Sequence, residues 1–390
     1  MITVNEALAL LETKVTPTLK VAQIGIEHAL HHVLAENIES PISMPPFRQS
    51  AMDGYAVYFT GEKEFKLTGE VQAGDDKNPP LKPGEAVRIF TGAAVPDDAN
   101  AVVMQEYVAH KGSIIHVEKE IALSQNIRET GEQIQKGSLA LKAGTLLQPA
   151  ALGYLASLGI DQIPVLVKPR IAIIVTGNEL RSPGQELKRG EIYESNALML
   201  KMALEKDGFT QVSIHRVEDS LESTIDVISN AMESHDVLLI SGGISVGDYD
   251  YVEEALEENE VEEVFYKVKQ KPGKPIYFGI TEEQLVFALP GNPASALSCF
   301  YIYVLPALRK MSGYNSYHLE RRLLISENDY SKKGDRAQFL KAYSTGSRVI
   351  ILDGQASSMI HSFAVSNALV FIPAEVEEIK KGDKVQVVML

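Results

Sequence analysis

The stretch DVLLISGGISVGDYDYV, residues 236–252, decides how the chain is read. An apolar run ends at Ser241, Gly242 and Gly243; Ser245 and Gly247 follow, and then two acids, Asp248 and Asp250. A short apolar run bounded by glycines reads as a buried strand, and glycines past a strand end let backbone amides face an anion. Acids in the same loop repel an anion unless a cation stands between them. No Gly-Lys-Ser/Thr follows, so this is not a Walker A loop, and the glycine spacing does not fit the dinucleotide fingerprint.

Strands and helices alternate on both sides of this loop. RIAIIVTG, TQVSIHRV and DVLLISGG read as strands, and ESNALMLKMALEKDG, SLESTIDVISNAMESH and DYDYVEEALEENE as helices between or after them. VFYKVKQ, KPIYFGI and QLVFAL are further strands, and NPASALSCFYIYVLPALRKM closes the region as a long helix. This rhythm predicts a doubly wound, mostly parallel α/β domain, whose sites lie beyond the carboxyl ends of its strands.

Upstream, residues 1–40 read as helix: TVNEALALLETKV, with Thr3 and Glu6 spaced as a capping box, then IEHALHHVLAENI. Between about 45 and 145 the period changes to two, with HKGS as a hairpin turn, which predicts a β-rich module. QPAALGYLASLGI (148–160) is another helix, and residues 319–390 return to short strands. The fold class is therefore multidomain α/β plus β. Along the chain come N-terminal helices, a β-rich module, a further helix, the α/β domain and a small C-terminal β module.

Bulk properties narrow the function. The chain has 390 residues, 45% hydrophobic and 23% charged, enough for more than one core. A formal net charge of −15 disfavours nucleic acid and anionic lipid as partners. No segment approaches the ~18 apolar residues of a membrane span. The N-terminus is unlike a signal peptide, and the single cysteine, Cys299, suits a reducing compartment, so a cytoplasmic protein is expected. Cys299 lies in an apolar run and reads as a small buried hydrophobe.

Three strand ends carry polar groups to one edge of the predicted sheet. They are Thr176, Gly177, Asn178 and Glu179 after the first, Asp219 after the second, and the glycine loop with Asp248 and Asp250 after the third. Asp219 also fits a helix N-cap. A divalent cation between carboxylates and phosphate oxygens would reconcile the acids with the glycines, as Mg²⁺ is commonly held. Lys267, Lys269 and Lys271 recur at period two on an expected strand, and Lys274 follows Pro272-Gly273, concentrating positive charge in an acidic protein. Asn292 and Pro293 are placed as N-cap and first residue of the long helix, whose amides would offer another anion contact. Asp53-Gly54 reads as a hairpin turn, and Arg128 has the shape for an oxoanion. His28, His31 and His32 share a face if the second stretch is helical, with no further ligand at metal spacing.

PPFRQSAMDGYAV, TGAAVP, NIRETGE, TGNEL, SGGISVGDYD, KPGKP and LPGNPAS occur in this order, and as a set they resemble the molybdopterin molybdenumtransferase family, MoeA and the gephyrin E domain, from about residue 40 to 312. GDRAQFLKAY departs from the family's usual Gly-Arg-x-x-Phe run. The resemblance implies an enzyme of molybdenum cofactor biosynthesis. Such an enzyme inserts molybdenum from molybdate into adenylylated molybdopterin, with Mg²⁺-dependent release of AMP. It places the metal-handling, catalytic acids on Glu179, Asp219 and Asp250, and brings Asp53 and Thr91 to the reacting centre. It assigns anion contacts to Lys271, Lys274 and Arg128, and the nucleotide and pterin pocket to Gly242, Gly243, Ser245, Asn292 and Pro293. It also implies a homodimer, with the β-rich module of one subunit facing the α/β domain of the other, and other cofactor-biosynthesis proteins as partners. The implied division is a helical, discontinuous linker domain, 1–40 with 136–168; a β-rich inserted module, 41–135; a doubly wound α/β molybdopterin-binding domain, 169–316; and a small C-terminal β-barrel-like module, 317–390. The alternatives are a molybdopterin adenylyltransferase, disfavoured by the extra modules, and a non-catalytic binding scaffold.

Overall fold

Buried alternation along the central strands organises the α/β region. The computed structural model describes residues 1–244 and 250–390. In it the strands run in the order Val212–Val217, Ile171–Thr176, Val237–Ser241, Leu285–Leu289, Tyr277–Ile280, Glu262–Tyr266. The first four are mutually parallel, and the last two join antiparallel. Ile171, Ile173, Val175, Val237, Leu239, Phe287 and Leu289 enter one core. Ala172, Ile174, Leu238, Ile240, Val286 and Ala288 enter the other. A strand buried on both faces needs no polar residues, which is why these read as unbroken apolar runs.

The first core is closed by the helix Asn196–Lys206 and the long helical run Pro293–Met311, the second by Leu221–Met232 and Val252–Glu258. The chain enters the sheet at Ile171–Thr176, adds Val212–Val217 on one side and Val237–Ser241 on the other. The topological switch point therefore lies between Thr176 and Ser241, where doubly wound sheets open their binding crevice.

The chain divides into two compact units. Met1–Gln23, Leu30–Ala35 and Pro164–Leu390 form one, and Ile24–Ala29 and Glu36–Ile163 the other. In the first unit, the C-terminal strands close a five-strand barrel: Ala337–Ser344, Arg348–Ile351, Arg321–Ser326, Lys384–Met389 and Ala368–Ile372, which pairs back to Ala337–Ser344. A short strand, Gln270–Lys271, extends it beside Ala337 and Gln338. The second unit holds a six-stranded sheet in the order Ala101–Met104, Gly54–Val57, Glu85–Ile89, Glu64–Val71, Ile114–Val117, Val108–Lys111. Its last two strands form the hairpin expected around HKGS.

Several local expectations change. The Thr3–Glu6 capping box forms and starts the helix Val4–Lys14. The stretch IEHALHHVLAENI makes only a three-residue 3₁₀ turn, Ile26–His28, and His31 adopts φ 61°, so the three histidines share no helix face. The strand holding Tyr266 ends there because Lys267 turns to φ 64°, so Lys267, Lys269 and Lys271 do not line one strand face. Cys299 is fully buried, and burial pushes its thiol well above the usual range. Among the described residues no helix is long and apolar enough to cross a membrane.

One buried cation makes stability pH-dependent. Lys168 is 5% exposed; its Nζ donates to the Gly208 carbonyl at 2.7 Å and lies 5.1 Å from the Phe209 ring centre. Burial pushes its pKa down from 10.5 to about 8. Between those values the unfolded chain holds a proton that the folded chain has lost, so stability rises with pH across the window. Below it both states are protonated and the cost of burying the charge is fully present. Wild type is expected to gain stability relative to Lys168→Met between pH 8 and 10.5 in urea unfolding. Parallel stability curves across that window would contradict the assignment.

Candidate active site

A cleft of about 660 Å³ opens at the switch point. Its floor is the ends of the two central strands, Val175, Thr176 and Ser241, with Gly242 and Gly243 following. Both glycines have positive φ, 99° and 65°, and both pack against Thr176, whose Oγ1 would stand 2.8 and 3.0 Å from an added Cβ. Only glycine meets both demands at once. The Gly242 amide itself donates to the Leu289 carbonyl at 3.2 Å, so its contribution is space, not an anion contact.

Glu179, Asp219, Gly242, Gly243, Asp250, Asn292 and Pro293 all line this one cleft. Ser245 and Asp248 lie outside the described residues. Asp219 is not a helix N-cap: Ser220 caps the following helix by accepting from the Ser223 amide. The Asp219 carboxylate instead accepts from the Asn178 amide at 2.9 Å, while Asn178 Oδ1 accepts from the Asp219 amide at 3.2 Å. That reciprocal pair ties the ends of two neighbouring strands and faces Asp219 into the cleft.

Asn292 and Pro293 do open a helix, but its amides are not offered outward as expected. The Ala294 amide donates to the Ser357 carbonyl at 3.1 Å, those of Ser295 and Ala296 to Asn292 O, and Asn292 Nδ2 reaches Ser357 Oγ at 3.2 Å. The C-terminal barrel's Ser357 loop thus caps this helix, and its neighbour Ser358 forms part of the cleft wall.

Among the lining residues that escaped sequence reasoning are Glu194, Asn196 and Ser358. Glu194, 6% exposed, accepts from the Ala197 amide at 2.8 Å and starts the helix Asn196–Lys206. Asn196 Nδ2 bridges Ser241 Oγ and the Gly291 carbonyl, both at 2.8 Å. Its Oδ1 is buried with no hydrogen-bond partner among the described residues. Ser358 could not be linked to the cleft without the barrel's closure. Asn196 is the first residue of its helix, where a polar side chain is ordinary and signals nothing.

Lys271 and Lys274 are exposed on either side of the buried Pro272-Gly273, and Pro275 begins the cleft wall. Neither lysine is itself among the lining residues. The described lining holds four acids, Glu179, Glu194, Asp219 and Asp250, and no lysine or arginine. The donor set of carboxylate oxygens suits a hard divalent ion. Among the described residues no three acidic, histidine or cysteine side chains form a group that could hold a metal alone. An ion that takes one or two carboxylates and completes its shell from phosphates needs no such group.

In the other unit, Asp53-Gly54 is not a hairpin turn. Gly54 enters the strand Gly54–Val57 between two partners, and Asp53 accepts from the Thr91 amide and hydroxyl, both at 2.8 Å. Those bonds, led by the Thr91 amide, hold its carboxyl below the usual range. Arg128 sits exposed on the two-residue strand Ile127–Arg128, beside Gln49 and Ser50. Asp53 and Thr91 are thus brought together, while Arg128 is on a different strand pair.

Three family models match in tandem: the MoeA N-terminal region (domain I and II) over residues 2–159, a probable molybdopterin binding domain over 172–310, and the MoeA C-terminal region (domain IV) over 324–390. A molybdopterin molybdenumtransferase of Staphylococcus aureus is 31% identical over 385 residues, 95% of this chain and 92% of that one. The chain belongs to the molybdopterin molybdenumtransferase (MoeA) family. A Staphylococcus epidermidis relative of the same name is 31% identical over 384 residues, covering 95% and 91% of the two chains. The crystal structure of a molybdopterin biosynthesis MoeA protein from Pyrococcus horikoshii OT3 superposes with a TM-score of 0.82 at 31% identity, over 100% of both chains. The MoeA multidomain fold, with its closed C-terminal barrel, is therefore that of this chain, including the tail whose sequence departs from the usual motif.

Proposed function

We propose that this MoeA-family chain transfers molybdenum from molybdate to adenylylated molybdopterin and releases AMP. One observation carries the reading: a glycine-lined cleft at the switch point of an α/β sheet, with four acids and no cationic side chain among its described lining. Such a cleft suits a phosphoanhydride only with a cation beside it. Mg²⁺, when bound, would neutralise the phosphoanhydride oxygens. One or two of Asp250, Asp219 and Glu179 would hold it, with the substrate's phosphates completing its shell.

The remaining roles follow from chemistry and placement. Gly242 and Gly243 let the phosphate region approach the strand ends, together with Ser245. Asn196 fixes the cleft floor by holding Ser241 Oγ and the Gly291 carbonyl. Asn292 and Pro293 form the wall opposite, fixed by the Ser357 loop. Lys271 and Lys274 hold anionic groups at the rim, and Arg128 an oxoanion. Asp53 and Thr91 act where molybdate reacts; a homodimer, in which the β-rich module of one subunit faces the cleft of the other, brings them there. We further propose the division into linker (1–40 with 136–168), β-rich (41–135), α/β (169–316) and C-terminal (317–390) modules, and a cytoplasmic location among other proteins of cofactor biosynthesis.

The test separates molybdenum insertion from adenylylation. Given molybdopterin and Mg-ATP, the chain is expected to release no pyrophosphate; given adenylylated molybdopterin, molybdate and Mg²⁺, it releases AMP. Pyrophosphate release without AMP release would replace the proposal with an adenylyltransferase.

A further inference from the structure

Gln270 is 1% exposed, and nothing in the proposed chemistry uses it. Its Nε2 donates to the Pro272 carbonyl at 3.1 Å and the Gly273 carbonyl at 3.2 Å, with Cys299 Sγ at 3.5 Å. Its Oε1 accepts from the hydroxyl of Tyr303, which is fully buried. A buried primary amide is costly unless satisfied, and this one is spent on the tip of a single loop.

That loop is Lys271–Lys274. Pro272 and Gly273 are buried and the two lysines exposed, so fixing the tip fixes where both side chains leave the surface. Gly273 has φ 82°, and a Cβ there would collide with Cys299 Sγ and lie 3.1 Å from Gln270 Nε2. The rest of the segment is held from both sides. Ile2 exchanges backbone bonds with Lys267 and Lys269, at 3.1 and 2.7 Å. The barrel strand pairs at Ala337 and Gln338, and Arg336 Nη1 donates to the Gln270 carbonyl at 3.3 Å.

Tyr303 reaches Gln270 from an irregular turn. The helical run Pro293–Met311 widens to a π turn at Phe300–Val304, one residue short of Pro306, which has no N–H to give the Ile302 carbonyl. Such widened turns shift side chains out of the regular helical register and concentrate at functional places.

We propose that the buried Gln270–Tyr303 pair is the positioning device of the Lys271–Lys274 loop and sets the protein's affinity for the anionic groups of its substrate. The inference rests on the reading that these lysines hold those groups. Gln270 touches no substrate; it acts through the lysines, as a supporting shell holds a contact geometry.

The test uses the full-length chain with pyrophosphate as the probe, together with AMP-release kinetics. Gln270→Met fills the same volume and donates nothing. It is expected to raise the pyrophosphate Kd and the substrate KM about tenfold, the scale of one lost buried bond, with kcat within about twofold. Amide exchange should quicken across residues 271–276 and stay unchanged in the central strands. Tyr303→Phe, which removes only the anchor of the amide, should give the same pattern at about threefold and serves if the first variant fails to fold. Lys274→Ala should weaken binding in wild type and do so less in the Gln270→Met background, as coupled sites do. If Lys274→Ala weakens binding while both Gln270→Met and Tyr303→Phe keep wild-type Kd and KM, the inference is overturned and the lysine reading stands. If neither Lys274→Ala nor Lys271→Ala alters binding, the lysine reading itself falls.

Discussion

Asp250→Ala is expected to fold as wild type does and to lose Mg²⁺-dependent AMP release by about a hundredfold or more. Asp250 is half-buried in the cleft wall, on the stretch that leads from the glycine loop into the helix Val252–Glu258. That helix is held by Val252, Ala255 and Leu256, which pack in the second core, so the substitution removes no apolar packing. What it removes is one carboxylate from a cleft that must neutralise a phosphoanhydride without a lysine or arginine in its described lining. A Lewis-acid contribution is worth several kcal/mol, and each 1.36 kcal/mol is a factor of ten, so a loss of ~10²-fold is the modest end of the range. Thermal unfolding and AMP release at saturating Mg²⁺ check the two halves. Turnover equal to wild type would remove Asp250 from the site.

Gly54→Ala is expected to destabilise the β-rich unit by about 3 kcal/mol, the upper part of the range for forced overpacking. Gly54 lies in a central strand and faces Ile89 on one side and Met104 on the other. A Cβ there would collide with the Val103 carbonyl oxygen, stand 2.8 Å from its carbon and 3.1 Å from Met104 Cα. These are backbone atoms of a paired strand, so no rotamer change relieves the clash; the sheet must open. Asp53 is the preceding residue, so the shift would also disturb its bonds to Thr91. Urea unfolding and activity should therefore fall together. A variant with wild-type stability would show that the strands separate at little cost.

The α/β region was legible because its strands are buried on both faces. Ile171–Thr176 and Val237–Ser241 carry no polar residue before their ends, and turn residues mark where each stops. The same clarity located the crevice, since Glu179, Asp219 and Asp250 all follow strands of one sheet. Where local pattern and tertiary demand part, the sequence misleads. Residues 26–40 have helical spacing, yet His31 turns left-handed there and Ala35 bonds across to Pro164. Asp53-Gly54 has turn composition, yet the glycine answers a close backbone approach that no local pattern reveals. Lys267–Lys271 has strand period, yet Lys267 breaks it. Asn196 and Gln270 meet partners 45 and 33 residues away, Ser241 and Tyr303, and Ser358 follows Ser357, which bonds Asn292 65 residues away; over such distances periodicity says nothing.

The opposition in SGGISVGDYDYV, glycines suited to an anion beside acids that repel one, is the centre of the account. Its most direct test is a single-turnover experiment with the full chain, adenylylated molybdopterin and Mg²⁺, in which molybdate is titrated and AMP counted. AMP release is expected to require Mg²⁺ and to rise with molybdate to one equivalent per site. AMP release that is complete without Mg²⁺, or none above background at saturating molybdate, would contradict it.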